Sequence, residues 1–355
     1  MKTCHAIGLM SGSSLDGLDL ALVRLSNDNG QYHYQIEAAE TLPYSQYWHD
    51  QLANAFLSTP EELTPLNIEY GAHLGTQVKS FAEKHHVKPD FVSSHGHTVF
   101  HKPEQHFTLQ IGDGQALADA CGFTVINDFR SEDVSKGGQG APLVPIGDRL
   151  LFAEYDICLN IGGIANLSYE LDGQRIAYDI CIANQGLNWL AQREGMAYDK
   201  DGHLASIGKV DMDLLKRLNG HPFYGMTPPK SLGREFFEQH QKGLLSDLST
   251  ADLLATFTEH IALQVALAAS TLPKGQLLVT GGGARNKYLI ERLQSRSMHD
   301  VIVPDDLTVD YKEALIFALL GLLRLEGKTN VLCSVTGAPS DSCSGKIWHP
   351  STPSQ

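Results

Sequence analysis

Two carboxylates and a run of hydroxyls crowd one short glycine turn near the start of the chain, Gly12-Ser13-Ser14-Leu15-Asp16-Gly17-Leu18-Asp19, with Ser11 just ahead of it. Gly12 and Gly17 let backbone amides approach a ligand, Ser11, Ser13 and Ser14 add hydroxyl donors, and Asp16 and Asp19 are suited to a hydrated Mg2+ beside phosphates. Phosphate binding is the chemistry this pattern offers, and an ordinary glycine hairpin accounts for it equally well. It is neither of two familiar phosphate motifs: no Gly-Lys-Ser/Thr follows, and a strand rather than a helix comes next. A second glycine turn stands at Ile161-Gly162-Gly163-Ile164-Ala165-Asn166, and a third run, Gly281-Gly282-Gly283-Ala284-Arg285-Asn286, leads from a strand into a helix. Amides at that helix start can pack against a nucleoside or phosphate, the alternative being a plain turn. His95, His97 and His101 are spaced as metal ligands sometimes are.

The elements that must position these residues fall into two similar series. Strands are predicted around Ile7 and Leu20 to Leu25, on either side of the first turn, with a third over Gln31 to Glu40 after Asn27-Asp28-Asn29-Gly30. Helices follow at about Ser45 to Ser58 and Pro65 to His86, then strands at Phe91 to Ser94, Phe107 to Ile111 and Phe123 to Asn127. The second half repeats the opening: a strand over Asp156 to Asn160, the glycine turn, a strand over Leu167 to Leu171, the Asp172-Gly173 turn, a strand over Arg175 to Ile180, and a helix from about Gln185. Helices are expected at Asp211 to Leu218 and Leu253 to Ser270, a strand at Gln276 to Thr280, and a last long helix from Asp310 to about Gly327. This duplication sets the expected domains: residues 1–127 with 310–355 returning to them, and residues 128–309.

The 355 residues are 42% hydrophobic and carry a net charge of -14, enough apolar mass for two domains and a field that repels nucleic acid and anionic membrane. Six cysteines, Cys4, Cys121, Cys158, Cys181, Cys333 and Cys343, form no C-x-x-C pair and suit a reducing compartment. The apolar run Ala6 to Met10 is too short for a secretory segment, and Ala314 to Leu323 falls well below the roughly 20 residues of a spanning helix. A cytoplasmic protein is expected.

Six stretches together carry a family resemblance: Gly8 to Asp19, DFRSEDVSKGGQGAPLVP (Asp128 to Pro145), LNIGGIANLS (Leu159 to Ser168), PPKSLGREFF (Pro228 to Phe237), GGGARN (Gly281 to Asn286) and DYKEA (Asp310 to Ala314). In this order the chain resembles the 1,6-anhydro-N-acetylmuramic acid kinases of the sugar-kinase and actin superfamily. The resemblance implies an α/β fold of two duplicated actin-like, ribonuclease H-like domains, each a mixed sheet opened by three antiparallel strands, with an interdomain ATP cleft. It also implies ATP and Mg2+ as cofactors, an anhydro amino sugar as substrate, and a homodimer.

Carried over by the resemblance, Gly12, Ser13, Ser14, Leu15, Asp16, Gly17, Leu18 and Asp19 form the first phosphate loop, with Asp16 toward Mg2+. Asn160, Gly162 and Gly163 form the second, and Gly281, Gly282 and Gly283 line the adenosine. Arg130 contacts sugar or transferred phosphate, its planar donor fork suiting either. Asp179 is the general base, with helix capping as the alternative. His95, Asn184 and Glu313 face the sugar. Glu313, three residues after Asp310, also fits a capping box. Where the family usually reads Phe-Asp-Thr-Gly-Pro-Gly-Asn, this chain has Tyr178-Asp179-Ile180-Cys181-Ile182-Ala183-Asn184, which keeps Asp179 and Asn184 and is expected to change the shape of the loop between them. The activity implied is ring opening with phosphorylation of O6 in peptidoglycan recycling. The alternatives are an ATP-binding module without sugar chemistry, a hydrolase that opens the anhydro bond without ATP, and a kinase for another anhydro amino sugar.

Overall fold

The first apolar strand, β1 (Lys2–Ser11), buries Ala6, Ile7, Gly8 and Leu9 in succession and is claimed on both sides. It pairs antiparallel with β2 (Leu18–Asp28), Met10 opposite Asp19 and Ser11 opposite Leu18, and parallel with β4 (Phe91–Ser94), Ile7 opposite Val92. β3 (Gln31–Leu42) continues the antiparallel meander. A computed structural model describes residues 2–12, 15, 17–245 and 247–351, Lys2 and Arg234 by their backbone alone. Ser13, Ser14 and Asp16, expected in the first phosphate loop, lie outside the described residues.

The chain divides into two compact units, residues 1–151 with 311–355, and residues 152–310. The expected division at 127/128 is corrected to 151/152, because residues that follow 127 bond within the first unit: the Asp133 carboxylate accepts from Gly140 N–H at 2.8 Å and from the Thr336 hydroxyl at 2.8 Å. In that unit a hairpin of β5 (His97–Lys102) and β6 (Phe107–Ile111) stands apart from the main sheet, which β7 (Val125–Asn127) joins. The Pro60–Lys84 helix begins five residues before the expected Pro65, because Thr59 and Glu62 form a reciprocal capping box with Pro60 in the first position.

The second unit repeats the plan. β8 (Ile157–Ile161), β9 (Ile164–Leu171) and β10 (Gln174–Ile182) form an antiparallel meander, and β11 (Gln276–Thr280) and β12 (Asp300–Ile302) add in parallel beyond β8. Its order is β10-β9-β8-β11-β12, and the first unit's is β3-β2-β1-β4-β7, extended by an edge strand β13 (Lys346–Trp348). The two orders coincide strand for strand, and each is the α/β arrangement of an actin-like, ribonuclease H-like unit. The Thr250–Ala269 helix, capped by Ser249, is buried nearly all round and carries Leu253, Phe257, Ile261 and Val265 into the second core.

The last long helix, Asp306–Leu325, starts one turn before the expected Asp310. Asp305 is its cap, accepting the Thr308 N–H at 3.1 Å and the Thr308 hydroxyl at 2.8 Å. Asp310 and Glu313 therefore sit in the helix body, and the capping box read between them does not form.

Candidate active site

In the first unit the strands bring four of the sequence candidates to the carboxyl end of the parallel pair. Asp19 opens β2 beside the glycine turn, and its Oδ1 accepts the Thr41 hydroxyl across the ladder at 2.6 Å. Leu15 takes a left-handed φ of 59° and donates its N–H to Gly12 O at 3.3 Å, closing the turn. Leu18 is buried in the core between Ser11 and Leu42. A Cβ on Gly17 would stand 2.7 Å from Leu42 O, so that glycine is needed for the start of β2 to pass β3.

Arg130 follows β7 and turns back toward the turn after β4. Its Nε and Nη2 lie 3.2 and 2.9 Å from His95 Nε2, and Nη1 donates to Gly140 O at 2.7 Å. Burial brings its pKa down to about 10 against the pull of Glu313, so the charge persists at neutral pH. The Glu313 carboxyl is itself pushed up by burial first and then by the Asp19 charge, with Arg130 and Lys312 opposing. Asp19, Arg130 and Glu313 thus form one electrostatic cluster. Next to it Lys312 and Asp148, 6% and 5% exposed, make an ion pair at 2.6 Å.

Of the three histidines spaced like metal ligands, each has its own neighbour: His95 has Arg130, His97 Nδ1 stands 2.9 Å from Ser11 Oγ, and His101 Nδ1 stands 3.1 Å from Thr108 Oγ1. Among the described residues no three His, Cys, Asp or Glu side chains are grouped to hold a metal ion. His97 belongs to a buried chain that sequence reasoning did not assemble. Tyr70 and Tyr44 hydroxyls are 2.8 Å apart, Tyr44 donates to Ser11 Oγ at 2.7 Å, and Ser11 meets His97. Burial lowers His97 to about 4, so it stays neutral and can take the Ser11 proton in a hydrogen bond. This network ties down the last residue of β1, where the glycine turn begins.

In the second unit Asp179 sits in β10 at a register shift against β9, between Asp179 and Cys181. Its backbone N–H donates to Lys230 O at 3.1 Å, and its Oδ2 accepts the Leu232 N–H at 2.8 Å. The cap of the following Asn184–Ala191 helix is Ala183, so the capping alternative for Asp179 falls. Burial raises the Asp179 carboxyl and the Leu232 N–H lowers it, with burial ahead. The Lys230 to Leu232 segment that holds Asp179 was visible in sequence only as part of a motif. Lys230 Nζ donates to Phe223 O at 3.2 Å and lies 4.7 Å from the Phe223 ring centre.

Ile180 to Ala183, where the chain departs from the usual family pattern, lie in and just after a strand. β10 runs on through Ile182, and Ile180, Cys181, Ile182 and Ala183 are all buried in the second core. The bulkier side chains fill apolar space, and Asn184 keeps its place, its Nδ2 donating to Ile161 O at 3.2 Å. The backbone of Ala183, Asn184 and Gln185 donates to Gly163 O and Gly162 O, at 2.8, 3.0 and 3.2 Å in that order, which fixes the second glycine turn.

The glycines sort into two kinds. A Cβ on Gly162, Gly163 or Gly282 would meet nothing nearer than 3.6 Å, ordinary van der Waals contact, so packing does not require a glycine at these three. A Cβ on Gly283 would run into Ile161, and one on Gly281, at φ 81°, into Asn160 Oδ1. Gly281 and Gly283 are therefore required by packing against the end of β8, and the other three leave the close approach that a nucleotide needs.

Two repeated sheets, each with a glycine turn between its first two strands, define an actin-like α/β protein. A family model described as anhydro-N-acetylmuramic acid kinase matches residues 4–350. The chain is 36% identical over 370 residues to the anhydro-N-acetylmuramic acid kinase of Pasteurella multocida (strain Pm70), covering 98% of this chain and 97% of that one. It is 35% identical to the enzyme of the same name from Methylorubrum populi, over 99% and 100% of the two chains. With that of Vibrio cholerae serotype O1 the identity is 35%, over 97% and 98%. A solved activator of the 2-hydroxyisocaproyl-CoA dehydratase from Clostridium difficile, with bound ADPNP, aligns at 16% identity and a TM-score of 0.45 over 91% of this chain and 98% of its own. The chain belongs to the anhydro-N-acetylmuramic acid kinase family.

Proposed function

We propose that this protein is an ATP-dependent kinase that opens the 1,6-anhydro ring of 1,6-anhydro-N-acetylmuramic acid and phosphorylates O6, yielding N-acetylmuramate 6-phosphate for peptidoglycan recycling. The observation that carries the reading is Asp179: a carboxylate seated at a strand irregularity, its Oδ2 held by the Leu232 N–H and its pKa raised by burial, as a proton acceptor requires. In an anhydro sugar O6 is bonded to C1, so no hydroxyl is free to receive phosphate. Water must add at C1 while the C1–O6 bond breaks, O6 taking the electron pair and then the phosphoryl group as ADP leaves. Asp179 accepts the proton from that water.

The remaining residues bind and orient. Gly162, Gly163 and Gly282, with Asn160, offer the bare backbone for the nucleotide, and the β1–β2 turn offers amides to its phosphates. Arg130 supplies N–H donors to an anionic group of the substrates, and Glu313 and Asn184 are assigned to the sugar side. Mg2+ fits the carboxylate of Asp19, since it binds through one or two carboxylates with water and phosphates, and when bound it neutralises phosphate charge. Among the described residues no disulfide joins the cysteines, which supports a reducing, cytoplasmic setting. Among the described residues no helix is long and apolar enough to cross a membrane. A homodimer rests on the resemblance alone.

The test is one assay with ATP, Mg2+ and the anhydro sugar, following ADP and sugar phosphate together. Equal amounts of both are expected. ADP release that ignores the sugar leaves an ATP-binding module, and ring opening without ADP leaves a hydrolase.

A further inference from the structure

Arg130 is a half-buried cation held by neutral groups. Three of its five N–H donors are used, by His95 Nε2, which takes Nε–H and one Nη2–H, and by Gly140 O, which takes one Nη1–H. Among the described residues no carboxylate is ion-paired with it. One N–H remains on each terminal nitrogen, a pair matched to two oxygens of one anion.

His95 is held from the other side. Its Nδ1 lies 3.0 Å from Gly96 O, and a carbonyl only accepts, so Nδ1 carries the proton and Nε2 keeps its lone pair for the guanidinium. The Gly96 carbonyl is fixed in turn: Gly96 has φ 71°, a Cβ there would stand 2.6 Å from Ile111 O, and its N–H donates to Ser94 Oγ at 3.1 Å. The Phe317 ring packs against the imidazole with centres 4.9 Å apart, which restricts its rotation. Burial and the Arg130 charge both oppose protonation, so the acceptor persists through neutral pH. Both ring nitrogens are engaged within the protein, which departs from the sequence expectation of a direct sugar contact.

We propose that His95 is a positioning residue of the kinase reaction, a neutral acceptor that aims the Arg130 fork so that its two spare N–H groups meet a carboxylate or phosphoryl group of the substrates. The proposal rests on the function argued above. Two sources offer that anion: the lactyl carboxylate of the muramic acid and the phosphoryl group in transfer.

The experiment is a double-mutant cycle in the full chain, with His95→Leu, Arg130→Ala and both together, beside His95→Gln as the conservative change. His95→Leu is expected to lower kcat/KM about 100-fold, as a misaimed positioning group does. On the Arg130→Ala background the same change should cost less than about threefold, because its partner is already gone. Gln, whose side-chain oxygen can accept from the guanidinium, should recover activity to within about tenfold of wild type. Equal costs of His95→Leu on the two backgrounds overturn the proposal. The two anion sources separate with 1,6-anhydro-N-acetylglucosamine, which lacks the lactyl group: a cost that disappears with this sugar assigns the carboxylate, and one that persists assigns the phosphoryl group.

Should His95→Leu fail to fold, imidazole nitrogen NMR of the wild type and of Arg130→Ala still decides. The wild-type ring should remain neutral with the proton on Nδ1 from pH 6 to 8, and loss of Arg130 should raise its pKa. A wild-type ring protonated on Nε2 overturns the proposal. This readout needs no turnover, so a protein that shows the coupling but phosphorylates no sugar contradicts the kinase assignment and not the His95–Arg130 contact.

Discussion

The two units share a sheet order and differ in what they load onto it. β3-β2-β1-β4-β7 and β10-β9-β8-β11-β12 superpose in sequence of pairing, three antiparallel strands and then two parallel ones. On the first frame stand charges: Asp19, Arg130, Glu313 and the Lys312–Asp148 pair. On the second stand bare glycines and one carboxylate, Asp179, with apolar residues filling the strand around it. Repetition thus fixed the backbone that presents a turn at the end of the first strand, and the chemistry diverged through the side chains. A carboxylate among apolar neighbours gains basicity from burial, whereas one in a charge cluster is tuned by its partners.

The largest effect that would break this contrast is the loss of the lone carboxylate. Asp179→Asn keeps the acceptor for Leu232 N–H and removes the base, so turnover with the anhydro sugar should fall about 1,000-fold. ATP binding and the melting transition should be nearly unchanged. Normal turnover in this variant would move the base elsewhere, with Glu313 the next residue to test.

The charges of the first unit should instead show up in stability. Lys312→Met removes the charge opposite the Asp148 carboxylate in a site only 5% exposed, and about 3 to 5 kcal/mol should be lost. Denaturant unfolding measures it, and Lys312→Met with Asp148→Leu should regain much of the loss. A single variant as stable as wild type would mean that the pair is solvated in solution.

How much of this was legible in the sequence follows from which forces are local. The meanders, their glycine turns and most helices announce themselves by alternation and periodicity. β13 and β12 are three residues each, too short for a period to register, and exist because a sheet edge was waiting. β5 carries His97 and His101, and the spacing drew attention to metal ligation where the residues in fact alternate along a hairpin. The start of the last helix was missed because Asp305 and Asp310 are equally good caps by type, and only the fold chooses between them. Residue types pointed to Asp179, Arg130 and Glu313 through family motifs, but His95 and Arg130 are 35 residues apart and nothing in either motif says that one holds the other. The Ile180 to Ala183 departure likewise needed burial to be understood.

The glycines give a smaller and sharper comparison. Gly283→Ala pushes a methyl into Ile161 and should cost about 1 to 3 kcal/mol of stability. Gly162→Ala meets nothing within 3.5 Å, its nearest neighbour being 3.6 Å away, and should leave unfolding almost unchanged while weakening binding of an ATP analogue. Thermal melts and titration calorimetry on the two variants separate the roles. Equal stability losses would deny that Gly162 has room for a methyl group.

The smallest effect concerns two carboxylates of the second unit that burial and partners drive in opposite directions. Glu259, 2% exposed, is raised by burial but lowered further by Arg292 and Arg296, so its folded pKa lies below the ordinary value. Its stabilisation is therefore complete above the unfolded carboxylate pKa and disappears as pH falls through the folded one. The arginines are 32% and 45% exposed, so solvent screens the pairs and Glu259→Gln should cost only about 1 to 2 kcal/mol at pH 7. Asp179 has the opposite sign. Its folded pKa is raised, so the folded state favours the neutral acid and gains stability as pH falls through that pKa toward the unfolded value. At pH 7 Asp179→Asn should accordingly melt at or slightly above the wild-type temperature and Glu259→Gln below it. Both differences should shrink as the pH approaches 4. If Asp179→Asn instead melted lower at pH 7 and converged on wild type in acid, Asp179 would be a structural carboxylate like Glu259, and the contrast between a partnered and a functional acid in this unit would fail.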